Sequence, residues 1–168
     1  MSNNQDDGGN DNSELSTKVT RFLEQQQVDY RLLWHRSAAV TIAEAARQRG
    51  IEPGQMVKSI LLRDMSDRYA LACAPGDCSV DPKKVRALLG WRRMTCVDLE
   101  HVYTITGYQL GTVTPLLLAT PMPVVFDHRL EQYSTVTISS GSDMAGIALR
   151  YQDLIALCQP CFGDICRQ

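Results

Sequence analysis

The sequence predicts a mixed α/β domain, built from a curved mixed β-sheet or a partly closed barrel with helices packed around it. Two observations predict this class. Helix-like and strand-like periods of apolar residues follow one another irregularly along the chain, and several strand segments are joined directly by short polar turns. A strictly parallel, doubly wound sheet would need a helix between its strands, so we expect antiparallel pairs within the sheet.

One domain is expected to fill most of the chain, because 168 residues are enough for a single substantial core. Residues 1–13 carry almost no apolar side chains, which is typical of a disordered N-terminal tail. We therefore place the folded domain at 14–160 and a short C-terminal tail at 161–168.

Helix and strand signals are clear in the first half of the chain. Thr41 and Glu44 have the spacing of a capping box, and the helix that they open should end at Gly50. Asp81 and Pro82 are a typical N-cap and first helical residue. The expected elements are helices at 15–27, 41–50 and 81–90 and strands at 28–33, 57–63 and 69–74.

Breaking residues divide the second half of the chain. Asp98 is expected to cap a short helix that runs to about Thr104, and prolines precede the next strand. Gly141 and Gly146 are expected in the turn between the last two strands. The expected elements are strands at 94–97, 124–126, 135–139 and 147–149 and a final helix at 151–158.

Composition and charge exclude several classes of protein. With 44% hydrophobic and 21% charged residues and a net charge of -2, the chain is ordinary globular material and not a nucleic-acid coat protein. The sequence has no apolar run of membrane-spanning length, and its polar N-terminus does not resemble a signal peptide. We therefore expect a cytoplasmic protein, in which the six cysteines are reduced thiols.

Lys58 and a glycine loop about fifty residues later are the strongest candidates for a functional site. Lys58 lies within an apolar strand, and strand alternation turns it to the same face as Ile60. A buried cation needs a partner, although a snorkelling lysine on an edge strand gives the same pattern. In the loop, Gly107 and Gly111 allow close approach of the backbone to a ligand, and Pro115 stiffens the exit. This pairing indicates a pocket for an anion or a polarised carbonyl.

Several segments occur in a characteristic order and spacing. They are 35–46 (HRSAAVTIAEAA), 54–61 (GQMVKSIL), 107–115 (GYQLGTVTP), 125–127 (VFD) and 138–141 (ISSG). Taken in this order, over roughly residues 15–158, they resemble the YbaK and prolyl-tRNA-synthetase-associated domain family of aminoacyl-tRNA deacylases. Each segment is short, but their joint order and spacing are specific.

The resemblance implies an enzyme that acts in trans on the ester joining a wrong amino acid to the 3′-terminal adenosine of a tRNA. It also implies a compact, curved mixed sheet, no metal or other cofactor, and no serine or cysteine nucleophile. The expected partners are mischarged tRNA and an aminoacyl-tRNA synthetase, and the expected oligomeric state is a monomer. The alternative hypothesis is a non-catalytic module that binds aminoacyl-adenosine, tRNA ends or a protein partner.

Individual roles follow from ester chemistry together with the resemblance. Lys58 is expected to orient the substrate and stabilise developing charge, because a lysine must lose its proton before it can act as a base. The candidate oxyanion donors are the backbone N–H groups of Gly111, Thr112, Val113 and Thr114. The candidate substrate contacts are Gly107, Pro115, Asp127, Ser140, Gly141 and His35. The candidate tRNA contacts, in one basic stretch, are Lys83, Lys84, Arg86, Arg92 and Arg93.

Structural alternatives stand beside some of these roles. Asp127 follows a strand, where it fits a helix N-cap as well as a contact to ribose or water. The basic stretch fits a solvated helix face equally well. Some members of the family carry a histidine near the position of Gly141, where this chain has Ser139-Ser140. This departure favours chemistry assisted by the tRNA 2′-hydroxyl or by the amino-acid side chain.

Metal ligation has weak support in the sequence. Cys158, Cys161 and Cys166 have the spacing of half a zinc site, but a second pair of cysteines or histidines does not follow. The histidines at 35, 101 and 128 are too far apart to suggest a metal triad. We therefore expect no metal.

Overall fold

Two β-sheets form the framework of the structure, a computed structural model that describes residues 15–37 and 41–168. The strands are β1 (Tyr30–Trp34), β2 (Val57–Asp64), β3 (Tyr69–Pro75), β4 (Met94–Cys96), β5 (Val124–Asp127), β6 (Thr135–Ser139), β7 (Ala145–Arg150) and β8 (Cys161–Gly163). One sheet is antiparallel with the order β1-β7-β6, and the other is mixed with the order β4-β2-β3-β5-β8. The predicted mixed α/β class is confirmed, with two open sheets in the described part of the chain.

In the described residues, five short helices surround the sheets. They are α1 (Lys18–Gln25), α2 (Ile42–Arg49), α3 (Pro82–Leu89), α4 (Val102–Thr106) and α5 (Tyr151–Cys158), and 3₁₀ turns occupy Pro53–Gln55, Leu99–His101 and His128–Gln132. None of the helices in the described ranges has the length and apolar character needed to cross a membrane.

The pairing of β2 exposes one side of its first half. Along its whole length β2 forms an antiparallel hairpin with β3, in which Lys58 lies opposite Ala74. On its other side β2 pairs with β4 only over the last three residues, 62–64. Lys58 therefore lies in a part of β2 that pairs with only one strand, β3, in the described chain.

The mixed sheet packs on both of its faces. Leu61, Leu71 and Phe126 lie in the main core, together with Ile138 and Ile147 of the antiparallel sheet. The opposite face forms a smaller core, in which Val85 of α3 packs with residues of β2, β3 and β5. Because strand residues alternate between faces, successive residues of β2 enter the two cores in turn.

Most helix boundaries follow the predicted capping residues. Asp81 accepts a hydrogen bond from the Lys83 N–H (3.0 Å), and Gly50 ends α2 with a left-handed φ of +69°. Thr41 accepts from the Glu44 N–H (3.0 Å), as predicted. The reciprocal half of that capping box is absent, because the Glu44 carboxylate accepts hydrogen bonds from side chains further along α2.

Three predictions about the secondary structure are wrong. The Asp98 side chain forms no capping hydrogen bond, and a 3₁₀ turn precedes α4. Gly146 lies within β7 and not in the preceding turn. Residues 161–168, predicted as a tail, contribute β8, which extends the sheet beside β5, and Cys166, which bridges to Val80. A three-residue strand is too short for alternation to reveal it. The predicted disordered tail, 1–13, lies outside the described residues.

Candidate functional site

The candidate site is a cavity at the seam between the two sheets. Met56, just before β2, forms an isolated bridge there with Thr137 of β6. Two adjoining cavities, of about 220 and 170 Å³, share a wall formed by Ile42, Arg49, Met56, Gly111 and Ser139. The larger is completed by His35, Thr41, Ala45, Ser142 and Asp143, and the smaller by Val57, Lys58, Ser59 and Val113. The fold thus brings His35, Lys58 and the glycine loop into one place.

Lys58 is half-buried in the wall of the smaller cavity. Within the described residues, its ammonium has neither a hydrogen-bond acceptor nor a carboxylate partner. An unpaired ammonium beside a cavity can bind an oxyanion or a polarised carbonyl oxygen.

The glycine loop forms part of the wall of the same cavity. Gly111 adopts a left-handed φ of +82°, and both it and Val113 line the wall. In the described chain, the N–H groups of Gly111, Val113 and Thr114 have no protein acceptor. Unpaired amides around a cavity are the usual components of an oxyanion hole.

One proposed oxyanion donor is not available. The Thr112 N–H donates to the Gln109 carbonyl oxygen (2.9 Å), and the Thr112 hydroxyl donates to the same atom (2.7 Å). Thr112 therefore shapes the turn that precedes the cavity. Thr114 is fully buried and its hydroxyl has no partner within the described residues.

The two ends of the loop have structural roles. Gly107 terminates α4 with a φ of +81°, and a Cβ at this position would approach the Lys18 ammonium and Ala119. Pro115 is buried, and its carbonyl oxygen accepts a hydrogen bond from the Cys158 thiol (3.6 Å). Neither residue lines the cavity, so the geometry gives no support to direct substrate contacts at these two positions, which stay a prediction.

Arg49 is a wall residue that the sequence did not reveal. Its Nε donates to His35 Nε2 (3.1 Å), and its Nη1 donates to the Thr137 hydroxyl (2.9 Å). Burial lowers the pKa of Arg49 to about 10, so the guanidinium stays charged at neutral pH. In the sequence Arg49 resembles any basic residue in the last turn of a helix, where the helix dipole favours a cation.

Both ring nitrogens of His35 take part in hydrogen bonds. Its Nδ1 lies 2.9 Å from the Asp143 carbonyl oxygen, which can only accept, so Nδ1 carries the proton. The lone pair on Nε2 accepts from Arg49. With both ring nitrogens engaged, His35 is positioned to support the cavity wall and not to remove a proton from water.

Asp127 and Ser140 do not line the cavity, so their substrate contacts stay a prediction that its geometry does not support. Asp127 is fully buried at the end of β5, where its carboxylate accepts from the N–H groups of Arg129 and Ile165 (2.9 Å each). Ser140 is also fully buried, and its hydroxyl donates to the Ala145 carbonyl oxygen (2.6 Å). Both side chains are used by turns of the fold.

The neighbouring positions in the β6–β7 turn behave differently. Gly141 takes a φ of +86° and packs towards the Tyr108 ring, so it does not line the cavity. Ser139 does line it, and its hydroxyl accepts from the Gly141 N–H (3.1 Å). The cavity is lined by Ser139, at the end of β6, and by Ser142 and Asp143 in the turn that follows, none of which the sequence had singled out.

The basic stretch lies at the far end of β2. Arg93 immediately precedes β4, which pairs with residues 62–64. Six residues of strand separate Lys58 from Asp64, a distance of about 20 Å. Lys83, Arg86 and Arg93 line a separate groove of about 210 Å³. Arg92 is exposed, whereas the Lys84 ammonium is held by the Cys166 carbonyl oxygen (2.8 Å) and by Asp164 (3.3 Å).

An α/β domain with two cations and unpaired amides around one cavity has the features of a protein that binds an anionic or polarised acyl group. Residues 36–157 match the sequence profile of the aminoacyl-tRNA editing domain, and the chain belongs to this family. The predicted YbaK-like identity is confirmed, as is the prediction of an enzyme that deacylates aminoacyl-tRNA.

Curated relatives extend this similarity over most of the chain. Identity is 25% over 158 residues to EbsC of Enterococcus faecalis, whose assigned activity is Cys-tRNA(Pro)/Cys-tRNA(Cys) deacylase, and the match covers 91% of this chain and 94% of EbsC. It is 30% over 118 residues to YwhH of Bacillus subtilis, covering 70% of this chain and 74% of YwhH. The proline–tRNA ligase of Trichlorobacter lovleyi matches at 27% over 100 residues, which are 60% of this chain but only 17% of that enzyme.

Solved structures share the fold. A crystal structure described as a trans-editing enzyme for prolyl-tRNA synthetase has a TM-score of 0.79 and 26% identity, and the match covers 92% of this chain and 99% of that one. The hypothetical protein APE2540 has a TM-score of 0.83 at 23% identity, with 90% and 100% coverage, which shows the shared fold alone.

Proposed function

We propose that this deacylase hydrolyses the ester of mischarged tRNA in the cavity between Lys58 and the glycine loop. One observation carries the assignment of the site. Lys58, whose ammonium has no partner among the described residues, lines the same cavity as Gly111 and Val113, whose N–H groups have no acceptor there. Ester hydrolysis places negative charge on the carbonyl oxygen, and these groups are the donors that stabilise it.

The reaction needs few protein groups. A water oxygen attacks the ester carbonyl carbon, and the N–H groups of Gly111 and Val113 bind the resulting oxyanion. Lys58 stabilises the same charge as an ammonium. The bond from the carbonyl carbon to the ribose oxygen then breaks, and that oxygen takes a proton to give a free amino acid and a tRNA with an intact terminal ribose.

Removal of the proton from water is assigned to the substrate. His35 has both ring nitrogens engaged, as described above. Asp143, which lines the larger cavity, is placed to pair with the α-ammonium of the amino acid. The 2′-hydroxyl of the terminal ribose, or the side chain of the bound amino acid, then assists the attack on the ester.

The amino acid and the partner are inferred from the relatives. We propose cysteine as the first amino acid to test, because EbsC is assigned to Cys-tRNA(Pro) and Cys-tRNA(Cys). A prolyl-tRNA synthetase is the proposed partner, since the chain resembles a segment of proline–tRNA ligases and a trans-editing structure linked to that synthetase. We also propose that the protein acts in trans as a monomer.

The body of the tRNA is proposed to cross the basic groove at Lys83, Arg86 and Arg93, with Arg92 beside it. The separation of about 20 Å from Lys58 suits a nucleic acid whose single-stranded 3′ end reaches the cavity while its double-stranded stem lies further away. Lys84 is excluded from this surface role, because its ammonium is already bound within the fold.

The experiment is a deacylation panel with tRNAs charged with Ala, Ser, Cys, Thr and Pro. The wild type should hydrolyse one or two of them, and Lys58→Ala should lower kcat by about 10²–10³. Arg31→Ala removes an exposed cation of β1 and serves as the matched control. Wild-type turnover that Lys58→Ala leaves unchanged would show that the reaction does not use this site.

A further inference from the structure

The guanidinium of Arg49 is held in the cavity wall by hydrogen bonds, but it has no ion-pair partner among the described residues. The role of this charge is not explained by the fold. Arg49 is the last residue of α2, and its side chain crosses to the antiparallel sheet. A Cβ built on Gly146 of β7 would overlap the Cζ and Nε atoms of Arg49. Gly146 lies within the strand, paired with Leu33 on one side and Ser139 on the other. Glycine at this position therefore makes the room in which the guanidinium lies.

Neither hydrogen-bond partner of Arg49 carries a negative charge. The partners are the His35 imidazole and the Thr137 hydroxyl, and within the described residues no carboxylate lies within ion-pair distance of the guanidinium. Two hydrogen bonds use two of the five N–H donors of an arginine. The other N–H donors of the guanidinium are available to a ligand, and the two hydrogen bonds already fix the orientation of the guanidinium.

The electrostatics of the cavity favour a negative ligand. Arg49 and Lys58 line the same cavity of about 170 Å³, and none of the described residues that line it is acidic. Asp143 lines the adjoining cavity of about 220 Å³, which Arg49 also lines. Like charges repel, and a partly buried cation without a counter-charge is costly. An anion bound between the two cations would relieve both costs. The helix dipole at the end of α2 offsets part of the cost for Arg49 alone, but not the repulsion from Lys58.

We propose that Arg49 is a substrate-binding residue whose guanidinium takes an anionic oxygen of the aminoacyl-tRNA end, while Lys58 acts at the ester. This proposal rests on the deacylase function proposed above. Two parts of the substrate carry such an oxygen: the phosphate on the 5′ side of the terminal adenosine, and the carboxylate of an acidic amino-acid side chain. A fixed, planar guanidinium is suited to either.

The test measures binding separately from turnover. The probes are non-hydrolysable 3′-aminoacylamino-adenosines, made with and without a 5′-phosphate and with aspartate or asparagine as the amino acid. Titration calorimetry compares the wild type with Arg49→Met. The matched control is Arg47→Met, which removes an exposed arginine of α2 that pairs with Glu44. Loss of a charged hydrogen bond should weaken binding about tenfold or more.

Each probe identifies one source of the oxygen. If Arg49 binds the phosphate, the 5′-phosphate should tighten binding to the wild type and to Arg47→Met but not to Arg49→Met. If it binds a side chain, aspartate should be preferred over asparagine with the same dependence on Arg49. The proposal is overturned if neither preference exists, or if either preference persists in Arg49→Met. A wild type that binds these probes without hydrolysing any charged tRNA would contradict the proposed function and leave the Arg49 assignment standing.

Two further variants separate ligand binding from structural support. Gly146→Ala keeps the charge but displaces the guanidinium. Arg49→Lys also keeps the charge, but one ammonium cannot reproduce the planar fork that holds His35 and Thr137. If Arg49 binds substrate, both variants should raise KM about tenfold with a smaller change in kcat. If Arg49 only supports the wall, thermal stability should fall in both while KM for the folded protein stays at the wild-type value.

Discussion

Gly111→Ala should separate the geometry of the glycine loop from the stability of the fold. Gly111 has a φ of +82°, and a Cβ at this position would have no atom within 4 Å. The whole cost of the substitution is therefore the left-handed backbone, about 1 kcal/mol. Alanine lowers this cost by rotating towards negative φ, which turns the following peptide plane and moves the amides away from the carbonyl oxygen.

The size of the effect on catalysis follows from the number of donors displaced. Loss of one oxyanion donor usually lowers kcat by about 10²–10³, and we expect Gly111→Ala to approach this range. The assay is single-turnover deacylation of the best substrate from the panel, with the unfolding free energy measured in parallel. For a chain of this size, about 1 kcal/mol corresponds to a fall in Tm of about 2–4 °C.

Gly90→Ala is the matched control. Gly90 also has a left-handed φ, +68°, with no atom within 4 Å of a built Cβ, and it ends α3 away from the cavity. Both variants should lose similar stability, and only Gly111→Ala should lose activity. If Gly111→Ala is destabilised like Gly90→Ala but keeps kcat within about twofold, the glycine loop does not supply the oxyanion donors, and the reasoning is refuted.

Two further predictions concern residues outside the cavity. Asp127→Asn should destabilise the fold by about 1–3 kcal/mol and leave kcat of the folded protein unchanged. The stabilisation by the wild-type carboxylate depends on pH, because hydrogen bonds from Ile165 and Arg129 lower the pKa of the Asp127 carboxyl although burial alone would raise it. A lowered pKa contributes stability above the unfolded value of about 4, so the difference from wild type, measured by denaturant unfolding, should shrink as the pH falls below it. The double variant Arg86→Gln/Arg93→Gln should raise KM for charged tRNA and reduce the salt dependence of binding, with hydrolysis of an aminoacyl-adenosine minimal ester as the control. An equal loss on that ester would contradict a role for this groove in holding the tRNA body.

Local patterns were enough to predict most of the framework. The β2–β3 hairpin follows from two apolar runs and a polar turn. The start of α3 at Asp81 and the end of α2 at Gly50 follow from capping preferences. The placement of Lys58 beside Gly111 followed from the resemblance to a known family, because strand alternation cannot reveal a contact between positions 53 residues apart.

The missed features depend on contacts between distant segments. Arg49 becomes a wall residue through Thr137 and Gly146, which lie almost one hundred residues later. The sequence predicted Gly146 in a turn because glycine is common in turns. Its place within β7 is explained by the Arg49 side chain, which lies against it. From the sequence, Asp127 fits a ligand contact and a cap equally well. Its hydrogen bonds from Arg129 and Ile165 support the cap.

The position of the cavity between the two sheets affects when the enzyme can become active during its synthesis on the ribosome. The walls of the cavity come from α2, the start of β2, the glycine loop and the end of β6, and β6 is held in its sheet by β7. β1 also has no strand partner in its sheet until β7 has been synthesised, because the two strands pair along the whole length of β1. The cavity is therefore incomplete until the ribosome has synthesised the chain as far as residue 150, the end of β7. We expect ester hydrolysis to begin only after nearly all of the domain has been synthesised.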